Sequence, residues 1–190
     1  MQMTDYRDRQ VVAPADWESS SGETRAIFDH ILTTRKLGWM PNMFAVMGQS
    51  PKALESVASV GEHVRFHSKL DQDLREMIIC EVSAILNNQL EWRHHIHKVP
   101  DEHRPLVGSA AIEEVPAPTG PALRFARLLA AGDTVPDELV DSLKEMLGVD
   151  GLVDLTVMVG YYQLLATFCT TLGIEVEDEM PPVPMPLKGT

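Results

Sequence analysis

Residues able to do chemistry crowd into one stretch, Arg75 to His97, which reads REMIICEVSAILNNQLEWRHHIH. It begins as an apolar helical run and ends in Asn87, Asn88, Glu91, Trp92, Arg93, His94, His95 and His97. At about 3.6 residues per turn, Glu91 and His95 fall one turn apart on one helix face. A carboxylate beside an imidazole holds the ring in one tautomer and favours its charged form, which makes a proton donor near neutral pH. Read without chemistry, the same pair is an ion pair worth roughly 0.2–0.5 kcal/mol to a surface helix. A second chemistry is metal binding by Glu91, His94, His95 and His97. Adjacent His94 and His95 point about 100° apart on a helix, however, so one ion suits both poorly, and no metal is expected. His63 and His67 have ligand spacing too, but no third ligand stands near them, and they read as solvated or packing histidines.

The elements that must position these groups are helical. Alternating period-2 patterns are lacking, and the chain reads as all-α with about eight helices. Ile27, Phe28, Ile31 and Leu32 stripe a helix over residues 23–36 that Gly38 would end. Pro41 suits the start of a short helix carrying Met43, Phe44, Val46 and Met47. Ser50-Pro51 is a helix start, with Ser as N-cap and Pro in the first turn. Leu74, Met77, Ile78, Val82 and Ile85 form the next stripe. Glu81 sits in its middle and Glu76 off its centre, and either could face a site. Asn87-Asn88 should break the helix, since Asn favours caps and turns. Residues 100–120 read as a connector with one short helix near 106–113. Thr119 and Thr134 are candidate caps, with Pro136 in the first turn of the helix that Gly148 closes. The apolar run 152–172 follows, stopped by Gly173 and read as buried on nearly all sides or as a subunit contact. Two long apolar helices, 71–86 and 151–172, each preceded by shorter amphipathic ones, hint at two similar halves. The expected organisation is an N-terminal arm over 1–20, one domain over 21–175, and an acidic, proline-rich tail over 176–190 that is disordered or laid along a neighbouring subunit.

Composition narrows the partners. The chain is 190 residues long, 44% hydrophobic, and carries a formal net charge of −12, with a pI near 4.9. A negative chain argues against nucleic acid and anionic membrane surfaces, while a local field can still attract an anionic substrate. Leu152 to Leu172 has the length of a membrane span, but Asp154 and Gln163 interrupt it and no Lys or Arg flanks it. Cys80 and Cys169 lie far apart in apolar runs, form no CxxC, and read as buried thiols. The polar opening MQMTDYRDRQ does not resemble a signal peptide, and a cytoplasmic location is expected.

The stretch Arg75–His97 resembles the carboxymuconolactone decarboxylase family, within the alkylhydroperoxidase D-like fold. The family's peroxidase branch carries a Glu, then a CxxC, then a His four residues beyond the second Cys. Glu76 and His95 match the Glu and the His, with Val82-Ser83-Ala84-Ile85 between, while the two Cys positions fall on Asn88 and Glu91. Thiol–disulfide exchange needs a reactive thiolate and a resolving thiol, so this chain looks like a branch without that chemistry. Glu91-Trp92-Arg93-His94-His95 is similar to the decarboxylase branch's Glu-Trp-x-x-His. Leu123-Arg124-Phe125, Gly151-Leu152-Val153-Asp154-Leu155 and Gly160-Tyr161-Tyr162 resemble longer members, so the likeness spans about residues 40–175.

The resemblance implies cofactor-independent decarboxylation of an unsaturated carboxylated lactone or similar small acid. His95 would be the proton donor, Glu91 would orient it, and Glu76 would complete a relay. Asn88, Trp92 and Arg93 would contact the substrate. It also implies a homo-oligomer, a trimer or hexamer. A non-catalytic oligomer binding a ring-shaped ligand in a cleft of Trp39, Met43, Trp92 and Tyr161 is the reading from a different class.

Overall fold

A computed structural model describes residues 10–186. Among them are seven α-helices and no strand: α1 (Gly22–Arg35), α2 (Asn42–Met47), α3 (Pro51–Glu62), α4 (Gln72–Leu86), α5 (Gln89–His95), α6 (Thr119–Ala131) and α7 (Asp137–Leu172). Helix α4 is the hub, packed against α5, α6 and α7. Its buried face runs from Leu74 to Ala84 and includes both Glu76 and Glu81. Asp71 starts it, its side chain accepting the Leu74 N–H at 2.9 Å.

The expected break after α4 takes a definite form. Asn87 adopts the left-handed conformation at φ 56° and ends the helix, a conformation that Asn tolerates better than most residues. Asn88 then caps α5, its side chain accepting the Glu91 N–H at 3.4 Å. This turn folds α5 back against α4. Gly148, at φ 76°, likewise interrupts α7, dividing residues 137–147 from 149–172.

Between α3 and α4, His63–His67 forms a π-helical turn, a wider winding that redirects side chains locally. Asp154 of α7 holds it from outside, accepting from His63 Nε2 and from the Lys69 N–H, each at 2.7 Å. Arg75 donates to the Arg65 carbonyl. Glu81 is structural: it accepts from Arg127 Nε at 2.6 Å and from the Gly108 N–H at 2.7 Å, tying α6 and the connector to α4. Burial pushes its carboxyl up, against the pull of Arg127 and Gly108.

Several local expectations need correction. Thr119 and Thr134 do not cap: Pro118 and Pro136 occupy the N-cap positions, and neither has a side chain able to accept. Ser50 stands at the N-cap of α3 but makes no side-chain cap bond. The run 152–172 is only about half buried, because Val153, Val157 and Leu164 continue an exposed apolar stripe that Val149 begins. By length and mean hydropathy α7 could cross a membrane, yet the same window packs its other half into the fold. The described part of the tail lies along its own chain, with Glu177 buried and Val183 and Met185 against the core. The arm does likewise, the Val11 N–H donating to Leu172 and the Ala15 N–H to Ala45. The remainder of the expected arm and tail, 1–9 and 187–190, lies outside the described residues.

Gly61 of α3 marks where a helix backs directly onto the site. A Cβ there would overlap the Tyr161 hydroxyl and stand 2.6 Å from Arg35 Nη2. Ala is the better helix former by about 1 kcal/mol, but the ring carrying that hydroxyl is rigid and overpacking costs about 1–3 kcal/mol. Gly61→Ala should therefore lower the thermal midpoint despite its propensity gain, and a raised midpoint would show that the contact yields freely.

Candidate functional site

His95, at the end of α5, is set between two carboxylates. Its Nδ1 donates to Glu76 Oε2 at 2.6 Å, and its Nε2 stands 3.4 Å from Glu91 Oε2. Glu76 comes from α4 and Glu91 from His95's own helix, so the Asn87 turn is what brings the three together. All three are buried. The stronger partner is Glu76 rather than Glu91, the reverse of the order that helical spacing suggests. The edge of Tyr162 closes the other side of the imidazole, 5.9 Å between centroids.

Burial alone would push the Glu76 carboxyl up. The hydrogen bond and charge of His95, with Lys98 and Arg65 beyond, outweigh it and hold the group below the usual range. Glu91 is shifted the same way: burial raises it, and His95, His94 and Arg35 bring it down further. Burial pushes the Tyr161 hydroxyl up to about 12, so it stays a donor at neutral pH.

His95, Glu91 and Tyr161 face a cavity of about 70 Å³. The end of α1 and the loop after it supply Arg35, Leu37 and Trp39, and α2 supplies Met43 and Phe44. The π-helical turn supplies Arg65, α5 supplies Glu91, His94 and His95, the turn beyond it Lys98, and α7 Tyr161, Tyr162 and Leu165. Three cations, Arg35, Arg65 and Lys98, thus stand around one small space, and none makes an ion pair within 4.0 Å among the described residues. Burial lowers Lys98, against the pull of Glu76. Arg35 lies over the Phe44 ring at 4.8 Å. Glu91 Oε1, buried at the cavity wall, has no protein hydrogen-bond partner. A space with three cations and a buried imidazole suits a small anion whose carbon skeleton lies against Met43, Phe44 and Leu165, with Glu91 Oε1 left to accept from a donor on the same ligand. A second, more open cavity of about 320 Å³ adjoins it, sharing Arg65 and Lys98 and reaching the far side of Glu76.

The sequence-predicted residues divide. His95, Glu91 and Glu76 come together. Asn88, Trp92 and Arg93, expected to touch substrate, are not among the residues lining the cavity. Asn88 is spent on capping α5, Trp92 is buried in the core, and Arg93 lies half-buried off this wall. Only His94, His95 and Glu91 of α5 face the cavity, because one helix offers one face to it. Of the predicted cleft, Trp39, Met43 and Tyr161 line the space and Trp92 does not. Arg35, Arg65, Lys98 and Glu177 were not foreseen. Lys98 alone left a trace, standing one turn past the histidines. Among the described residues no group of three or more His, Cys, Asp or Glu is placed to hold a metal. Cys80 and Cys169 are buried free thiols that burial pushes well up, and neither lines the cavity.

This arrangement of α4, the Asn87 turn and α5 belongs to an alkylhydroperoxidase D-like helical fold, and the chain has that fold. No family model matches it and no curated protein matches it, but solved structures do. An uncharacterized peroxidase-related protein from Silicibacter sp. TM1040 superposes with a TM-score of 0.76 at 17% identity, over 94% of this chain and 97% of that one. An alkylhydroperoxidase AhpD core protein from Ralstonia eutropha JMP134 gives 0.69 at 18%, over 90% and 94%. A cysteine-to-alanine variant of the debrominase Bmp8, in complex with 2,3,4-tribromopyrrole, gives 0.69 at 15%, over 90% and 94%.

The depressed Glu76 makes stability pH-dependent with a definite sign. A carboxyl whose folded value lies below its ordinary 4.5 adds stability above that value, and loses it as pH falls through the folded one. Glu76→Gln keeps an oxygen for His95 but removes the titration. Melting curves from pH 7 down through 4.5 should fall more steeply for the parent than for Glu76→Gln, whereas parallel acid limbs would mean that Glu76 is not the ionised partner.

Proposed function

We propose that the protein is a cofactor-independent decarboxylase-type enzyme acting on a small unsaturated carboxylate, with γ-carboxymuconolactone or a related carboxylated lactone as the first candidate. The observation that carries this reading is a buried imidazole held between Glu76 and Glu91, at a cavity surrounded by Arg35, Arg65 and Lys98. The cations draw in an anionic substrate and favour charge that develops on its carbonyl oxygen. The bond to the leaving carboxylate breaks, its electron pair passes into the conjugated carbonyl, and CO₂ departs. His95 then gives its proton to carbon, and water restores it. Glu76 keeps the ring oriented, and its far side, open to the adjoining cavity, offers a route for that reprotonation.

The solved neighbours carry peroxidase-related and debrominase names. Thiol chemistry of either kind is less well supported for this chain, since its thiols are buried, raised in pKa and away from the cavity. We further propose a cytoplasmic homo-oligomer, a trimer or hexamer. Its contact would include the exposed apolar stripe Val149, Val153, Val157 and Leu164, which recurs every four or seven residues along α7 beyond the Gly148 break. Light scattering should give a multiple of 21.1 kDa; a clean monomer would remove the oligomer.

The central test is CO₂ release and ultraviolet absorbance on γ-carboxymuconolactone and a panel of unsaturated carboxylated lactones, with His95→Gln beside the parent. Turnover should drop by about 100- to 10,000-fold in a variant whose fold is intact. Full activity of that variant would take His95 out of the mechanism, and an inactive parent on every lactone would overturn the decarboxylase reading.

A further inference from the structure

Two adjacent imidazoles line the cavity, and the reaction above uses one. His94 Nε2 donates to Glu177 Oε2 at 2.6 Å, as short as the bond between His95 and Glu76. Glu177 belongs to no helix. It lies in the segment after α7, with its side chain only 4% exposed, and its other oxygen accepts the Asn42 N–H at 2.7 Å. Asn42 answers by donating from Nδ2 to the Glu175 carbonyl at 3.0 Å. Trp39 meets the His94 ring edge-on, 5.7 Å between centroids. The ring is therefore fixed by an acid and by an aromatic wall, and Nδ1 is left as its remaining proton-handling atom. The charged and titratable groups around it are Glu177 from the tail, Glu91 and His95 from its own helix, and Arg35, Lys98 and Tyr161 across the cavity.

Burying a carboxylate is costly, and a neutral oxygen would satisfy the Asn42 N–H as well. What a carboxylate adds is control of the imidazole: one tautomer, one orientation, and stabilisation when the ring carries charge. Glu76 does this for His95, and Glu177 repeats it for His94 from the opposite end of the chain.

We propose that Glu177 is a positioning residue holding His94 as the second proton-handling group of this cavity, set to donate to the oxygen of an enolate while His95 serves its carbon. The chemistry rests on the decarboxylase reading, while the geometry does not. It narrows the substrate to acids whose carboxylate sits on a saturated carbon next to a carbonyl or an enone, because a plain alkyl acid would offer His94 no oxygen to serve. As the C–C bond to CO₂ breaks, its electron pair ends on the carbonyl oxygen, which takes a hydrogen bond from Nδ1–H of a doubly protonated His94 ring whose Nε2–H stays on Glu177. When His95 protonates carbon the pair returns, and His94 keeps its proton.

Three measurements test this. Ring ¹⁵N spectra at alkaline pH should show His94 with its proton on Nε2 in the parent and a tautomer mixture in Glu177→Ala; a parent ring protonated on Nδ1 would overturn the assignment. Binding of 4-hydroxybenzoate, a planar enol mimic, should move the His94 ring signals and weaken by about tenfold in His94→Gln; unchanged affinity would overturn it. On a turned-over lactone, His94→Gln and Glu177→Gln should each lower kcat by about 100-fold with KM nearly constant, and the double variant should lose little more than the worse single one. A KM-only effect, or losses that multiply, would overturn it. Glu177→Gln keeps an oxygen for Asn42, so it decides the kinetics if Glu177→Ala fails to fold. A parent that turns over no lactone defeats the decarboxylase reading and leaves the ring spectra and the 4-hydroxybenzoate binding to decide this one.

Discussion

The 2.6 Å bond between His95 and Glu76 joins residues 19 apart in sequence, and the site depends on it. It exists because Asn87 takes a left-handed conformation that stops α4 and lets α5 fold back. A buried carboxylate is tolerated on α4 only because a cation or donor meets it there, and removing either partner leaves the other stranded in low dielectric. The same helix applies this rule twice. Glu76 is met by His95 and opens on the larger cavity, whereas Glu81, five residues on and on another side of the helix, is met by Arg127 and Gly108 and holds connector and α6 in place.

Net charge is a poor guide to what such a cavity attracts. The chain carries −12, yet Arg35, Arg65 and Lys98 converge where they have no carboxylate partner within ion-pair distance among the described residues. Glu76 and Glu91 face them, but both are engaged with His95. The acids that make the chain negative lie mostly on exposed surfaces, where solvent and salt screen them. Inside the cavity the dielectric is lower and nearby charges count for more, so the three cations weigh more on an anion there than the distant surface acids do.

Helix periodicity made the core of the site legible in the sequence, and the limits of that legibility are physical. Glu91 and His95 are related by local geometry, so spacing found them. The Asn87-Asn88 break followed from what Asn side chains do near backbone, and the kink at Gly148 from the conformations open to glycine. Local geometry failed in two ways. It could not say which residues of α5 face the cavity, so Asn88, Trp92 and Arg93 were grouped with His95 although the helix turns them elsewhere. Nor could it find partners from distant elements. Arg35 closes α1, Arg65 rides a π-helical turn that has no distinctive pattern, and Glu177 sits in a tail that composition marks as loose. The caps at Thr119 and Thr134 failed because a neighbouring proline, with its fixed φ, takes the N-cap position in each case.

The position of Glu91 shows how one scaffold changes its chemistry. By the resemblance it stands where the peroxidase branch carries a cysteine, one helical turn before the histidine. A thiol there would exchange electrons through a disulfide and would need its sulfur as a thiolate. A carboxylate has no such redox step. What it offers His95 is a second carboxylate, 3.4 Å away. Under the proposed function, the cavity's own side chains carry proton transfer. On the same reading, the cations around the cavity offset the nearby carboxylates Glu76 and Glu91 when an anionic substrate enters.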